Sequence, residues 1–391
     1  MKVLTLSTLF PDTSRPRFGP FVEAQTLALA ARDDVDVRVV APIGIPPMPL
    51  GLHPRYGALR TLPNRETWQG VEVYRPRFTH IPEVGGRFDA GLMARALLPL
   101  LTTIRQDFAF DVIDASFFFP DGPAAVALGE ALGVPVSIKA RGSDIHMWGA
   151  QPAVSAQILN AAHKAQGLLA VSQALKRDMV DMGMQGDKIR VHYTGVALDR
   201  FTPIDRAQAK ASLGVSGPLV VCVGNLLERK GQRLVVDALS EIEGATLALI
   251  GQGPDRASLE AKVSALGLGN RVRFVGSIAH DEMAVWLGAA DVMVLASISE
   301  GLANVWVEAL ACGTPIVITD VGGAREVVDR PEAGRMVAAD PAMIARAVNQ
   351  IIANPPPQAL VRAAAERFTW HANSEALFDH LHELIAHYPP R

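Results

Sequence analysis

The sequence predicts an α/β protein built from two doubly wound parallel sheets. Three observations carry this: the chain length, an alternation of short apolar runs with helix-like segments, and glycines placed where those runs end. At 391 residues the chain exceeds the size at which one hydrophobic core keeps growing, so two domains are expected. Runs of four to five apolar residues between helix-like segments are the pattern of strands buried on both faces by crossover helices. A content of 49% hydrophobic and 20% charged residues fits a folded enzyme and argues against global disorder.

In chain order, an apolar run at Val3–Leu9 opens the first sheet. A Pro/Gly-rich turn follows, then an Ala/Leu-rich helix from about Phe21, then a strand at Val35–Val40. From Ala41 to about Arg87 the pattern breaks, with prolines at 42, 46, 47, 49, 54 and 63. So long a stretch without periodicity reads as a functional or mobile loop. Strands resume at Val112–Ala115, Pro135–Lys139 and Leu168–Val171. The second half is cleaner, with strands at Leu219–Val223, Thr246–Ile250, Val272–Val275, Val292–Leu295 and Pro315–Thr319. Turn glycines stand at Gly224, Gly251, Gly276 and Gly313. A crossing near Val196–Phe201 divides the chain into 1–198 and 199–370, with a terminal segment 371–391.

A formal net charge of −3 gives no general electrostatic reason to bind nucleic acid. Cys222 and Cys312, far apart and in apolar contexts, read as buried reduced thiols rather than a disulfide or metal site. The opening lacks the apolar core and cleavage site of a signal peptide, and no uncharged run approaches the ~18 residues of a membrane span. A cytoplasmic protein is expected, with work on a membrane-borne acceptor left open.

In doubly wound sheets ligands sit beyond the carboxyl ends of the strands, so the loops there are where chemistry is sought. Ser299–Pro315 follows a strand and is expected to open a helix at about Gly301, whose amides and dipole suit a diphosphate. Glu300 stands before that helix and Glu308 two turns along it, both able to accept from hydroxyls. Read singly, they are a capping residue and a solvated helix position. Gly224-Asn225-Leu226-Leu227-Glu228-Arg229-Lys230-Gly231 places adjacent cations after a glycine turn: a phosphate grip, or a solvated basic loop. Lys139-Ala140-Arg141-Gly142-Ser143-Asp144-Ile145-His146 groups a base, an acid and a proton carrier, or forms a capped turn. His380, His382 and His387 lack the spacing that sets two ligands on one helix face.

With Glu300 and Glu308, then Glu-Ala-Leu-Ala-Cys-Gly-Thr-Pro and Val321-Gly322-Gly323-Ala324-Arg325-Glu326, the chain resembles the retaining glycosyltransferases of group 1 (family 4). Lys230-Gly231, Ile250-Gly251-Gln252-Gly253-Pro254 and Phe368-Thr369-Trp370 share the likeness. In the first half Phe10-Pro11, Gly19-Pro20-Phe21-Val22-Glu23, Phe119-Pro120-Asp121-Gly122 and Arg141-Gly142-Ser143-Asp144 resemble members that assemble bacterial surface or exopolysaccharides.

The resemblance implies a GT-B fold. Two Rossmann-like domains then face a central cleft, an N-terminal acceptor domain and a C-terminal nucleotide-sugar domain, with a final helix crossing back. It implies that Glu300 contacts the donor sugar and Glu308 the ribose. The amides of Gly301, Leu302 and Ala303, with Lys230, would hold the diphosphate. Gly19 would let its loop approach the donor, and Gly276 and Ser277 would lie beside the base. Asp144 and His146 would stand near the reacting centre, with Arg141 and Asp121 on the acceptor. Where the family often has an arginine, this chain has Asn225, so the second cation of the grip is absent or supplied by Arg229.

A retaining, metal-independent transfer follows as the expected function, from a nucleotide sugar to a glycan or lipid-linked acceptor, with no cofactor. Leaving-group charge would meet the helix dipole, amides and Lys230, and domain closure would exclude water. Asp34-Val35-Asp36 matches the Asp-x-Asp of metal-dependent transferases but precedes a strand, at the end opposite the expected site. Arginines 55, 60, 65, 75, 77 and 87 with Trp68 and Phe78 read either as a peripheral contact with the inner membrane face or as a solvated loop. An epimerase of the same fold and a non-catalytic nucleotide-sugar binder are the competing readings. A dinucleotide oxidoreductase is disfavoured, because neither half opens with Gly-x-Gly-x-x-Gly after its first strand.

Overall fold

The structure is a computed structural model that describes residues 1–16, 18–82 and 85–389. The chain divides into two compact units, one of Met1–Gly195 with Trp370–Arg391, the other Val196–Thr369.

The strands of the first unit are β1 (Lys2–Leu6), β2 (Asp36–Val40), β3 (Ile43–Ile45), β4 (Arg65–Trp68), β5 (Val71–Tyr74) and β6 (Arg77–Thr79), followed by β7 (Val112–Ala115), β8 (Val136–Ala140), β9 (Gly167–Ala170) and β10 (Ile189–Val191). Its main sheet runs β10-β9-β8-β7-β1-β2-β5-β4, and β3 pairs with β6 apart from it. All pairs are parallel except the β4–β5 hairpin. β7, β8 and β9 are buried at every residue, as expected of strands covered on both faces by helices. The order reverses between β1 and β7, which are neighbours in the sheet although β2 to β6 separate them in sequence.

The second unit holds β11 (Leu219–Val223), β12 (Thr246–Ile250), β13 (Val272–Gly276), β14 (Val292–Leu295), β15 (Ile316–Thr319) and β16 (Gly334–Val337). Its all-parallel order, β13-β12-β11-β14-β15-β16, is the doubly wound 3-2-1-4-5-6 arrangement, with its switch between β11 and β14. Together the two units make the GT-B fold the sequence predicts.

The last helix, Trp370–His387, belongs to the first unit and packs beside the helix Pro20–Ala30. Its Leu377 and Leu381 complete an apolar cluster with Val3, Leu29, Val112 and Leu169. Polar bonds fix it as well. Asn373 O accepts from His192 Nε2 at 2.8 Å, and His380 Nε2 lies 3.1 Å from Ser137 Oγ.

One expectation needs correction here. The stretch from Ala41 to Arg87 is largely folded: it contains β3 to β6 and short helical turns. Arg55, Arg60, Arg65 and Arg87 are exposed, whereas Arg75 and Arg77 are drawn into the unit. Arg75 is buried, pairs with Glu66 and donates to Pro11 O at 2.7 Å. Arg65 pairs with Glu72, and Arg77 donates to Asn64 Oδ1 at 2.5 Å. Trp68 Nε1 donates to Glu23 Oε1 at 2.6 Å, and Phe78 is buried. Arg75, Arg77, Trp68 and Phe78 thus belong to the internal bonding and packing of the unit. Among the described residues no helix is long and apolar enough to cross a membrane.

Candidate active site

In the second unit the residues singled out from the sequence gather where its sheet switches direction. Connections leave β11 and β14 toward opposite faces, so the loops beyond their carboxyl ends diverge and leave room for a ligand. The β11 loop ends in the turn Glu228–Lys230 and Gly231, and the β14 loop runs from Ala296 into Ala303. Backbone locks one to the other. Gly231 has φ +69°, and a Cβ there would lie 2.0 Å from Ala296 O. Ile298 N donates to Arg229 O at 2.9 Å.

This fusion brings Lys230 Nζ into an ion pair with Glu300. Glu300 Oε1 also accepts from Ser297 Oγ at 2.7 Å. The two side chains are only 15% and 10% exposed, so salt screens the pair weakly. A third loop, after β15, supports it from behind. Gly322 has φ +51°, and a Cβ would lie 2.1 Å from Glu300 O, so only glycine lets the two backbones meet. Next to it Gly323 N donates to Gly301 O at 2.8 Å.

The helix beyond this loop starts later than expected, spanning Asn304–Ala311. Gly301 O is engaged by Gly323 rather than by the helix, and Ala303 is extended with ψ 116°. The first-turn amides without an intrahelical acceptor are therefore those of Asn304 and Val305, with Gly301, Leu302 and Ala303 on the extended approach. On the same helix Glu308 is buried, and its Oε1 lies 3.0 Å from His280 Nε2. His280 opens the helix His280–Ala289 just beyond Gly276 and Ser277, which close β13. Sequence reasoning missed His280; its one signal was its position three residues past that strand-end turn. Asn225 is exposed and its carbonyl accepts from Gln232 Nε2 at 2.9 Å. The Arg229 guanidinium makes no ion pair among the described residues.

In the first unit the expected site residues are differently employed. Asp144 is fully buried and accepts from the amides of Phe118 at 2.9 Å, Arg141 at 3.0 Å and Gly142 at 2.8 Å. Burial raises its pKa despite these bonds. The role expected of Asp144 is thereby revised: it ties the loop after β8 to the loop after β7, with no oxygen exposed to a reactant. Asp121 is corrected for the same reason. It is fully buried, Thr8 N donates to its Oδ2 at 2.9 Å, and burial with Asp144 nearby pushes its pKa up to about 7. An acceptor cannot touch it in this conformation.

Arg141 donates from Nε to Ser116 O at 2.6 Å, and burial lowers its pKa to about 10. His146 is part-exposed, with Nε2 2.9 Å from Asp178 Oδ2. Gly19 forms the N-cap of the helix Pro20–Ala30, at the end of the loop that follows β1. Lys139 is buried, donating to Gln25 Oε1 at 2.7 Å and to His192 Nδ1 at 2.8 Å. His192 donates from Nε2 to a carbonyl, so Nδ1 carries the lone pair that Lys139 meets. Burial drives the Lys139 pKa well down. No local pattern around His192 announced this pairing.

Comparison with known proteins decides the family. The profile of Glycosyl transferases group 1 matches residues 217–354, and that of Glycosyltransferase Family 4 matches residues 22–200. TuaC of Bacillus subtilis, a glycosyltransferase assigned to teichuronic acid biosynthesis, is 30% identical over 334 residues, covering 83% of this chain and 82% of TuaC. The chain belongs to the group 1, family 4 glycosyltransferases. A second relative of this glycosyltransferase is LpsE of Rhizobium meliloti, a lipopolysaccharide core biosynthesis glycosyltransferase. It is 34% identical over 211 residues, 54% of this chain and 61% of LpsE. Among solved structures, Anabaena Alr3699/HepE in complex with UDP shares the fold, with a TM-score of 0.74 at 22% identity over 98% of this chain and 100% of HepE.

Proposed function

We propose that this glycosyltransferase takes its sugar from a nucleoside diphosphate sugar at the β11–β14 switch point, and transfers it with retention and without a metal. The acceptor in this reading is a glycan or lipid-linked sugar of polysaccharide or glycolipid assembly. The observation that carries it is the Lys230–Glu300 pair, a cation beside a carboxylate in a glycine-locked, weakly screened corner.

A donor of this class presents the matching pair of groups, an anionic diphosphate beside sugar hydroxyls. Lys230, with Arg229 and the amides from Gly301 to Val305, meets the charge that grows on the leaving diphosphate. Glu300 accepts from the donor sugar. Glu308, oriented by His280, accepts from the ribose, and the Gly276–Ser277 turn lies against the base. The acceptor hydroxyl attacks the anomeric carbon on the face the diphosphate leaves. The carbon–oxygen bond to phosphate breaks, and the hydroxyl proton passes to the departing phosphate oxygen. No buried carboxylate in the first unit is then needed as a base, which agrees with the sequestered state of Asp121 and Asp144.

Two comparisons support the details. HepE has been crystallised with UDP and with UDP-glucose, which makes uridine donors the first to try. TuaC and LpsE are named for teichuronic acid and lipopolysaccharide core biosynthesis, which supports a cell-surface glycan as product.

A thermal-shift screen of nucleotide sugars, run with and without EDTA, tests the reading. One donor is expected to stabilise the unaltered protein in both conditions, and Lys230→Ala is expected to lose at least tenfold in affinity for it. Binding that is abolished by EDTA, or that ignores Lys230→Ala, contradicts the proposed grip.

A further inference from the structure

Glu308 is a buried carboxylate, its side chain 7% exposed, with no lysine or arginine paired to it among the described residues. Its side-chain hydrogen bond there is to His280, whose Nε2 lies 3.0 Å from Oε1. No donor among the described residues reaches Oε2. A buried carboxylate with a single donor is short of partners, and a ligand with neighbouring hydroxyls supplies them.

His280 is itself held from both sides. Its Nδ1 lies 3.5 Å from Arg200 Nη1. A guanidinium only donates, so Nδ1 presents its lone pair and the proton sits on Nε2, where it meets Glu308. The carboxylate only accepts, and so demands the same tautomer from the other side. Arg200 Nε in turn lies 3.0 Å from Asp281 Oδ1. That ion pair is 45% and 85% exposed and adds little stability, so what it does is aim the guanidinium at the ring.

The backbone puts these groups in reach of one another. The amides of Arg200 and Phe201 close a turn on Ala197 O, at 3.2 and 2.8 Å. Phe201 is buried and packs edge-on against the imidazole of His280, with ring centroids 5.3 Å apart. Arg362 Nη1 donates to Phe201 O at 2.7 Å and to Ala311 O at 2.6 Å. Ala311 ends the helix that carries Glu308, so one guanidinium ties the Arg200 turn to that helix.

We propose that Arg200 is a positioning residue for donor selection. Acting through His280, it holds Glu308 with Oε2 left for the hydroxyl pair of a ribose, and the enzyme thereby prefers ribonucleoside to 2′-deoxyribonucleoside diphosphate donors. This rests on the reading above, in which Glu308 accepts from the ribose, and adds the residues that set the selectivity. Removing the 2′-hydroxyl takes away one donor to a buried charged acceptor and changes little else in the ligand.

Isothermal titration calorimetry with UDP, GDP, ADP and their 2′-deoxy counterparts tests the relay. The unaltered protein is expected to bind at least one ribonucleotide, about tenfold or more tighter than its deoxy form. Arg200→Leu and His280→Leu are each expected to bring that ratio below about threefold. A merely structural role would weaken both nucleotides alike and leave the ratio where it was. Arg200→Lys and His280→Gln keep a donor at each place and are expected to retain most of the preference. The double variant, Arg200→Leu with His280→Leu, should discriminate no worse than His280→Leu alone, because Arg200 acts only through the imidazole. No ribose preference in the unaltered protein, a preference untouched by Arg200→Leu, or losses that add in the double variant would each overturn the relay and leave the donor reading standing. Binding of no nucleoside diphosphate contradicts both.

Discussion

At the residue scale, the fate of each charged group follows from which backbone reaches it. Lys230 and Glu300 are 70 positions apart, yet they meet because Gly231 and Gly322 admit neighbouring carbonyls that any Cβ would exclude. Both residues stand in strand-end motifs and were legible in the sequence. His280 was not, since it acquires meaning only from a carboxylate delivered by another element. Asp121 and Asp144 were misjudged for a related reason: a sequence shows an acidic residue in a loop, but not how deeply that loop is buried. Burial has a measurable consequence at Asp121. Its carboxyl titrates near 3.8 when unfolded and near 7 in the folded protein. The folded state thus keeps a proton that the unfolded chain has released. Its stabilising contribution is complete below about pH 4 and is lost as pH rises through about 7. Asp121→Asn keeps the bond from Thr8 and removes this titration. Urea denaturation at pH 5 and pH 8 is expected to show a larger loss of stability on the alkaline side for the unaltered protein than for the variant. An equal loss would mean that Asp121 does not titrate in that window.

At the scale of elements, legibility tracked how completely a strand is covered. β11, β12 and β14 matched their predicted bounds because an uninterrupted apolar run has one plausible use. β4 reads Arg-Glu-Thr-Trp with alternating exposure on a sheet edge, and the charges that hid it find partners in the fold, Arg65 with Glu72 and Glu66 with Arg75. The closing helix, Trp370–His387, is anchored partly by uncharged imidazoles. Burial lowers the His380 pKa from about 6.5 to about 4 and drives that of His192 well down. A depressed folded value means that this stability is present above about pH 6.5 and is lost as pH falls toward 4. Hydrogen exchange of the 370–387 segment, corrected for intrinsic pH dependence, is expected to show at least tenfold lower protection at pH 5 than at pH 7.5. His380→Gln is expected to reduce that difference. Unchanged protection would remove His380 as the anchor.

At the scale of the whole molecule, the two units repeat one device. In each, a parallel sheet reverses its strand order and leaves room at the carboxyl ends of the two strands flanking the reversal. In the second unit that place holds the Lys230–Glu300 pair, and in the first it holds a cavity lined by His80 and Trp148. The alternation of strands and helices made the fold class readable. The position of each reversal was not readable, because strand order depends on which crossovers pack on which face, and no local pattern records that.

In the proposed reaction Glu300 and Lys230 serve a nucleotide-sugar donor. Release of nucleoside diphosphate from a panel of nucleotide sugars, compared between the unaltered protein and Glu300→Gln, tests it most directly. One donor is expected to be turned over, slowly with water and faster with acceptor. Glu300→Gln is expected to reduce that rate at least a hundredfold, a loss of about 2.7 kcal/mol of transition-state stabilisation. Turnover that survives Glu300→Gln, or release from no nucleotide sugar at all, would contradict it.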